Sequence, residues 1–283
     1  MRTGSTALVT LALGDAYRRR FDRVCKPAWE RYCARHGIDL IVLTAPLDAS
    51  LRAASRSPSW QRLLILSQRW SANYERVIWA DADVVVNEAA PDIVAGTPAE
   101  LVCGVDAYAI PDRDTHRRAL ERQYAVWARD GVPYLDNPTP GSFYTRRGLR
   151  GEALDLVLQP GVFVASPRHH RDVFEHIYNS FEDDKGPEWN YEMPAMSFEL
   201  VRNALLHVIP SRFNWCVLDL LAAEHPALLG SRISRLGRLR ARLGLPQSRA
   251  MTRAVRDIHS RGYFTHFAAC AHLMPILAAI SGR

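Results

Sequence analysis

No run of apolar residues in this 283-residue chain approaches the roughly 20 that a membrane-crossing helix requires. The N-terminal run Ala7 to Leu13 has only Arg2 as a basic residue ahead of it and leads into Asp15 and Arg18-Arg19-Arg20. It therefore reads as a first strand and not as the apolar core of a signal peptide. Cysteine is scarce and scattered. Cys25, Cys33, Cys103, Cys216 and Cys270 are odd in number and show neither the spacing of a zinc site nor a disulfide framework. The expectation is free thiols, buried, in a reducing cytoplasm. A Gly-rich phosphate loop is also missing, which excludes both the P-loop and the dinucleotide-binding fingerprint. There is no internal repeat and no low-complexity linker.

Acid is absent from one long stretch. Between Ser231 and Arg256 stand eight arginines (Arg232, Arg235, Arg238, Arg240, Arg242, Arg249, Arg253, Arg256) and no carboxylate. The net charge is +6, so the rest of the chain carries −2. The basic balance is thus a local patch, not a nucleic-acid footprint, and no nucleic-acid partner is expected. Drawn as a helix, the segment gathers Ile233, Leu236, Leu239 and Leu243 on one side and Arg235, Arg238 and Arg242 on the other. Arg232 and Arg240 intrude on the apolar side, and Gly237 and Gly244 weaken the helix. Two readings stand: peripheral contact with an anionic membrane at the inner, cytoplasmic surface, or a solvated helix packed on the domain by its leucines.

What is present is an alternation of strands and helices, which argues for an α/β fold in one domain with a C-terminal extension. Ala7–Leu13 is a strand. Phe21, Val24, Cys25, Ala28, Trp29 and Tyr32 share one helical face, and Gly37 ends that helix. Ile38–Leu43 closes a βαβ unit. Ser57-Pro58 starts a helix to about Asn73, with Trp60, Leu63, Leu64 and Trp70 inward. Leu101–Val105 is a short buried strand ending at Asp106. From Ala107 to Arg150 the chain is polar and aromatic, with Pro111, Pro133, Pro138 and Pro140. A helix over Thr115–Arg129 lies among long loops, and Tyr134, Phe143 and Tyr144 either stack on a sugar or pack the insertion. Gln159–Ser166 is a turn and strand, Pro167–Asn179 a helix, Glu182–Gly186 a charged loop, Glu192–Leu206 a helix and Val208–Pro210 a short strand.

The chain is organised around Val77-Ile78-Trp79-Ala80-Asp81-Ala82-Asp83. Its apolar, β-branched and aromatic start reads as a buried strand. Two carboxylates then follow one residue apart. Such a pair repels itself and resists desolvation, a conflict that a hard divalent cation removes. Ligands of open α/β sheets bind at the carboxyl ends of the strands. The expectation is a metal site that holds an anion such as a diphosphate. Asp-x-Asp alone also occurs on many surface loops, and the preceding buried strand is what separates the two readings.

The order Trp60-Gln61-Arg62, Val77–Asp83, Gly161-Val162-Phe163-Val164, Tyr191–Ser197, Phe213-Asn214 and Thr265-His266-Phe267 resembles GT-A-fold, nucleotide-sugar-dependent glycosyltransferases. Within them it resembles the fungal galactosyl/mannosyltransferase and plant xyloglucan xylosyltransferase family, whose signature Thr-His-Phe-x-Gly-Cys is matched by Thr265–Cys270 with Ala269 for Gly. The resemblance covers most of the chain outside 107–158 and 218–260. It implies a single Rossmann-like GT-A domain (1–283), with a mostly parallel sheet flanked by helices. Residues 1–105 would form the nucleotide-sugar half, 106–217 the acceptor side, and 218–283 the basic extension and metal-histidine tail. It implies metal ligands Asp81, Asp83 and His266, with Mn²⁺ as the cation and Mg²⁺ as the alternative. It implies donor contacts from Thr10, Leu11, Ala12, Tyr17, Arg62, Asp81 and Gly161. The lysine that often follows the signature is missing, and His272 or a nearby arginine takes its place. Glu192-Met193 occupies the place of an acidic–Gln pair beside the transferred sugar, with Met193 a departure. Glu192 and Asp184 are the candidate catalytic carboxylates. The reaction implied moves a hexose or related sugar from a nucleoside-diphosphate sugar, expected to be a UDP-sugar, to a glycan or lipid-linked acceptor.

Two other classes use these residues. Phosphatases of the haloacid dehalogenase type carry a strand and then Asp-x-Asp, and Asp183-Asp184-Lys185 imitates their later acidic pair. Their nucleophile strand normally opens the domain, whereas two strands and two helices precede Asp81 here. The other class is a non-catalytic, transferase-like domain that binds a glycan or partner.

Overall fold

A computed structural model describes residues 5–129, 139–183, 191–228, 243 and 247–278. Its centre is a six-stranded sheet in the order β2-β1-β3-β6-β5-β7. These strands are β1 (Thr6–Leu11), β2 (Asp39–Leu43), β3 (Arg76–Ala80), β5 (Val102–Asp106), β6 (Leu158–Ala165) and β7 (Leu206–Val208). β1 pairs in parallel with β2 and β3, and β5 with β7; β6 alone runs the other way, between β3 and β5. The sheet is therefore mostly parallel, as expected.

Side-chain alternation along the strands builds two cores. Leu8, Ile78, Ala80, Val162 and Val164 face one side, against Phe21, Trp29 and Tyr32. Ala7, Val9, Val77, Trp79, Phe163 and Ala165 face the other, against Trp60, Leu63, Phe174 and Met196. The five cysteines are free and buried.

The first helical face is buried as expected, but it belongs to two helices, α1 (Asp15–Val24) and α2 (Lys26–His36). Pro27 explains the break, since it has no N–H for the carbonyl four residues back and its ring crowds that turn. Gly37 ends α2 in the left-handed conformation, φ 66 and ψ 33, that only glycine adopts freely.

The expected helix over Ser57–Asn73 is instead 3₁₀ in two pieces, Pro58–Ser67 and Arg69–Asn73, after the short α3 (Leu51–Ala54). Trp60, Leu63 and Leu66 are the reason: they recur every three residues and all are buried, the period at which 3₁₀ side chains eclipse. Leu64 and Trp70 are only half-buried.

A second, smaller sheet has no counterpart among the strands expected from the sequence. β4 (Val84–Val86), β8 (Trp215–Cys216) and β9 (Phe264–His266) form it in the order β4-β9-β8. β9 pairs antiparallel with β4, matching Val84 to His266, and parallel with β8, matching Cys216 to His266. The remaining helices are α4 (Arg113–Arg129), α5 (Pro140–Thr145), α6 (Pro167–Ser180), α7 (Met193–Arg202), α8 (Val217–Glu224), α9 (Arg249–Arg261) and α10 (Pro275–Ala278). α7 stops before the expected Leu206, where Ala204 takes a positive φ of 53.

Phe143 and Tyr144 are core residues, packed in one cluster with Met193 and Phe198, so the sugar-stacking reading falls for both. Tyr134 lies outside the described residues, as do Asp184 and the arginines 232–242.

Candidate active site

Asp81 leaves the carboxyl end of β3 with its amide bonded to the Gly161 carbonyl at 2.8 Å, while its own carbonyl accepts the Val84 amide at 2.9 Å. That tight turn puts Asp81 and Asp83 on one side before the chain enters β4. The Asp83 carbonyl accepts the Phe267 amide at 3.1 Å, which closes β9 onto the turn. His266 Nε2 then stands 3.4 Å from Asp83 Oδ1 and 3.8 Å from Asp81 Oδ2.

Around this trio the contacts are polar and buried. Arg62 Nη2 lies 2.9 Å from Asp81 Oδ1, Arg62 Nε lies 3.2 Å from Glu192 Oε1, and Nη1 donates to the Pro160 carbonyl at 2.6 Å. Trp79 Nε1 donates to Asp81 Oδ1 at 2.9 Å, and the Arg62 guanidinium lies 5.4 Å from the centre of the Trp79 ring. The other imidazole nitrogen of His266, Nδ1, is 2.8 Å from Asn214 Oδ1. Gly161 touches the same ring: a Cβ there would sit 2.2 Å from His266 Cε1.

The electrostatics separate the two carboxylates. Burial pushes the Asp81 carboxyl above its ordinary range against the pull of Arg62 and His266. Burial acts on Asp83 too, but the neighbouring imidazole outweighs it and holds this carboxyl below its ordinary range. His266 would be lowered by burial, yet Asp83 and Asp81 raise it. Burial raises Glu192, opposed mainly by Arg62. The Tyr17 phenol is raised by burial first and then by Asp83 and Asp81, so it stands within electrostatic reach of both.

These residues fit a divalent cation. Asp81, Asp83 and His266 each offer one ligand atom, all within 4.8 Å of one another. Asp83 Oδ1 is buried without a hydrogen-bond partner, and 3.4 Å to the imidazole exceeds ordinary hydrogen-bond length. Two carboxylates with one imidazole form a mixed oxygen–nitrogen set able to hold a divalent cation.

The other sequence-derived candidates are placed unevenly. Thr10, Leu11 and Ala12 lie at the carboxyl end of β1, next to β3. Thr10 and Ala12 are buried, and the Thr10 hydroxyl has no partner. Arg62, Tyr17 and Gly161 converge on the Asp81–Asp83 turn. His272 sits in a 3₁₀ turn, Ala271–Leu273, and is not a member of the Asp–Asp–His group. Asp183 accepts the Ser57 amide at 2.7 Å, a loop anchor. Asn214 carried no role in the sequence beyond its place in the motif order, because an amide that bridges two strands has no local signature.

A mostly parallel sheet with one reversed strand, and a carboxylate pair at the end of β3, make this the GT-A glycosyltransferase fold. Solved structures of that class superpose along almost the whole chain. A glycosyltransferase involved in glycosylation of the major capsid of PBCV-1 matches with a TM-score of 0.53 at 13% identity, over 96% of this chain and 98% of that one. The galactosyltransferase LgtC, solved with donor and acceptor sugar analogues, matches with a TM-score of 0.50 at 13% identity, over 98% and 96%. The bifunctional glycosyltransferase WbbM gives 0.50 at 13% identity, over 95% of this chain and 46% of its own length. No family model and no curated protein matches the sequence. With this fold established, the phosphatase alternative loses its scaffold.

Proposed function

We propose that the protein is a metal-dependent glycosyltransferase that moves a hexose or related sugar from a nucleoside-diphosphate sugar, in first place a UDP-sugar, to a hydroxyl of a glycan or lipid-linked acceptor. The observation that carries this is the convergence of Asp81, Asp83 and His266 within 4.8 Å at the carboxyl end of β3 in a GT-A fold. Those three would hold Mn²⁺ or Mg²⁺, which when bound supplies positive charge to the diphosphate of the leaving nucleotide.

In this reading the chain's own residues divide the remaining work. Thr10, Leu11, Ala12 and Tyr17 receive the base and ribose at the end of β1. Arg62, fixed by Asp81 on one side and Glu192 on the other, orients the sugar. Gly161 leaves room at the centre, and His272 meets the phosphates. Glu192, raised by burial and opposed by Arg62, faces the positive charge that grows on an oxocarbenium-like sugar; Asp184 is the second candidate carboxylate. Residues 1–105 serve the donor and 106–217 the acceptor. The basic stretch rests on an anionic membrane through α9, where Arg249, Arg253 and Arg256 are exposed. Among the described residues no helix is long and apolar enough to cross a membrane.

Calorimetry of UDP and GDP in Mn²⁺ and in EDTA tests the reading. The expected result is affinity that depends on metal for at least one of the two, with slow hydrolysis of the matching sugar nucleotide. Equal affinity in both conditions sinks the metal assignment. Metal-dependent binding with no hydrolysis or transfer from any sugar nucleotide favours the non-catalytic alternative.

A further inference from the structure

The amide of Asn214 makes two short bonds, one from each of its polar atoms. Its Nδ2 donates to the Gln159 carbonyl on β6 at 3.1 Å. Since that carbonyl can only accept, the amide orientation is fixed and Oδ1 must face His266. Oδ1 lies 2.8 Å from His266 Nδ1 and can only accept, so Nδ1 carries the hydrogen. Asn214 is fully buried and His266 nearly so; the Cys216 thiol is the further neighbour of both, with Sγ 3.9 Å from Asn214 Oδ1 and 4.0 Å from His266 Nδ1, longer contacts than the 2.8 Å between the two. Gly161 closes the ring's Cε1 edge. Of the two imidazole nitrogens only Nε2 remains, and it points at Asp83 and Asp81.

We infer that Asn214 is a positioning residue: it sets the tautomer and ring orientation of His266 so that Nε2 is the metal-binding nitrogen. The partner that holds the second nitrogen of a ligating histidine fixes the first. Here one side chain does this while also joining the large sheet to the small one, since Gln159 lies on β6 and His266 on β9. This role rests on the metal-site reading above.

Three proteins separate the possibilities: wild type, Asn214→Leu and Asn214→Asp. Leucine loses both bonds. Aspartate keeps an acceptor for Nδ1–H but loses the donor to Gln159. Mn²⁺ binding is read by electron paramagnetic resonance, folding by thermal melting. The ligating nitrogen is read from ¹⁵N-histidine spectra of protein loaded with ¹¹³Cd²⁺. The expected result is a loss of Mn²⁺ affinity of about 10- to 100-fold in Asn214→Leu. Asn214→Asp should stay near wild type, and the cadmium coupling should fall on Nε2 in both wild type and Asn214→Asp. Equal losses in the two variants, or coupling to Nδ1, overturn the role and leave the metal site standing. Unchanged affinity in a folded Asn214→Leu does the same. A wild type that binds no Mn²⁺, even with UDP present, overturns the metal reading and this role with it.

Discussion

Gly161 is the smallest residue at the centre and has the least freedom to change. Its carbonyl holds the Asp81 amide and its missing side chain is the space that His266 occupies. In Gly161→Ala the methyl would lie 2.2 Å from Cε1 and 2.6 Å from Nδ1, a separation real Cβ atoms do not tolerate. The ring must rotate or shift, which breaks the Asn214 bond or withdraws Nε2 from Asp83. Overpacking of this kind costs roughly 1–3 kcal/mol of stability. The expected outcome is a folded protein with a lowered melting temperature and at least about tenfold weaker metal-dependent UDP binding, the lower end of what loss of a ligand's supporting partner costs. Calorimetry beside thermal melting checks it. Binding equal to wild type would show that His266 is not held against this glycine.

Among the elements, α9 and β9 act together. α9 buries Met251, Ala254, Val255 and Ile258 and presents arginines outward. Near its end, His259 Nδ1 lies 2.8 Å from the Thr265 hydroxyl of β9, and the Asn87 side chain caps the His259 carbonyl at 2.9 Å. Burial lowers the His259 imidazole from 6.5 to about 4. The sign follows directly. Above pH 6.5 the ring is neutral in both folded and unfolded chains and costs nothing. Between pH 6.5 and about 4 the unfolded chain takes up a proton that the folded one refuses, so stability is lost as the pH falls through this window. The loss is on the order of 3 kcal/mol at its limit. Urea unfolding of wild type and His259→Gln across pH 4–7 should show a shallower decline in the variant, and identical declines would remove His259 from the account.

At the scale of the molecule, charge is sorted. Eight arginines fall within one stretch and the remainder carries −2, so an anionic surface attracts one region and weakly repels the rest. Basic side chains near an anionic leaflet contribute about 1 kcal/mol each before salt screens them. Co-sedimentation with anionic vesicles at low salt, release by added salt and no binding to neutral vesicles are expected. Binding indifferent to lipid charge would leave the stretch as a solvated or packed surface.

The same scale shows what the sequence made legible. The sheet and the carboxylate pair could be read because β3 is a short apolar run that stops at two charges, a contrast local in the chain. The two 3₁₀ pieces were hidden, because Trp60, Leu63 and Leu66 fit a helix period nearly as well as a period of three. The second sheet was hidden because its strands are two or three residues long and pair across most of the chain. His266 came into view only through the family resemblance, and the role of Asn214 not at all, since each is defined by neighbours remote in sequence.

The place of β9 between β4 and β8 has a consequence in time. During synthesis both carboxylates leave the ribosome well before the imidazole that completes their set. In the proposed metal-site reading, a chain made as far as β4 carries both carboxylates but lacks the third ligand. Only when β9 has been made and pairs with β4 and β8 is the Asp–Asp–His group whole, so a metal-dependent activity, as proposed, would be absent until nearly all of the described chain has been made.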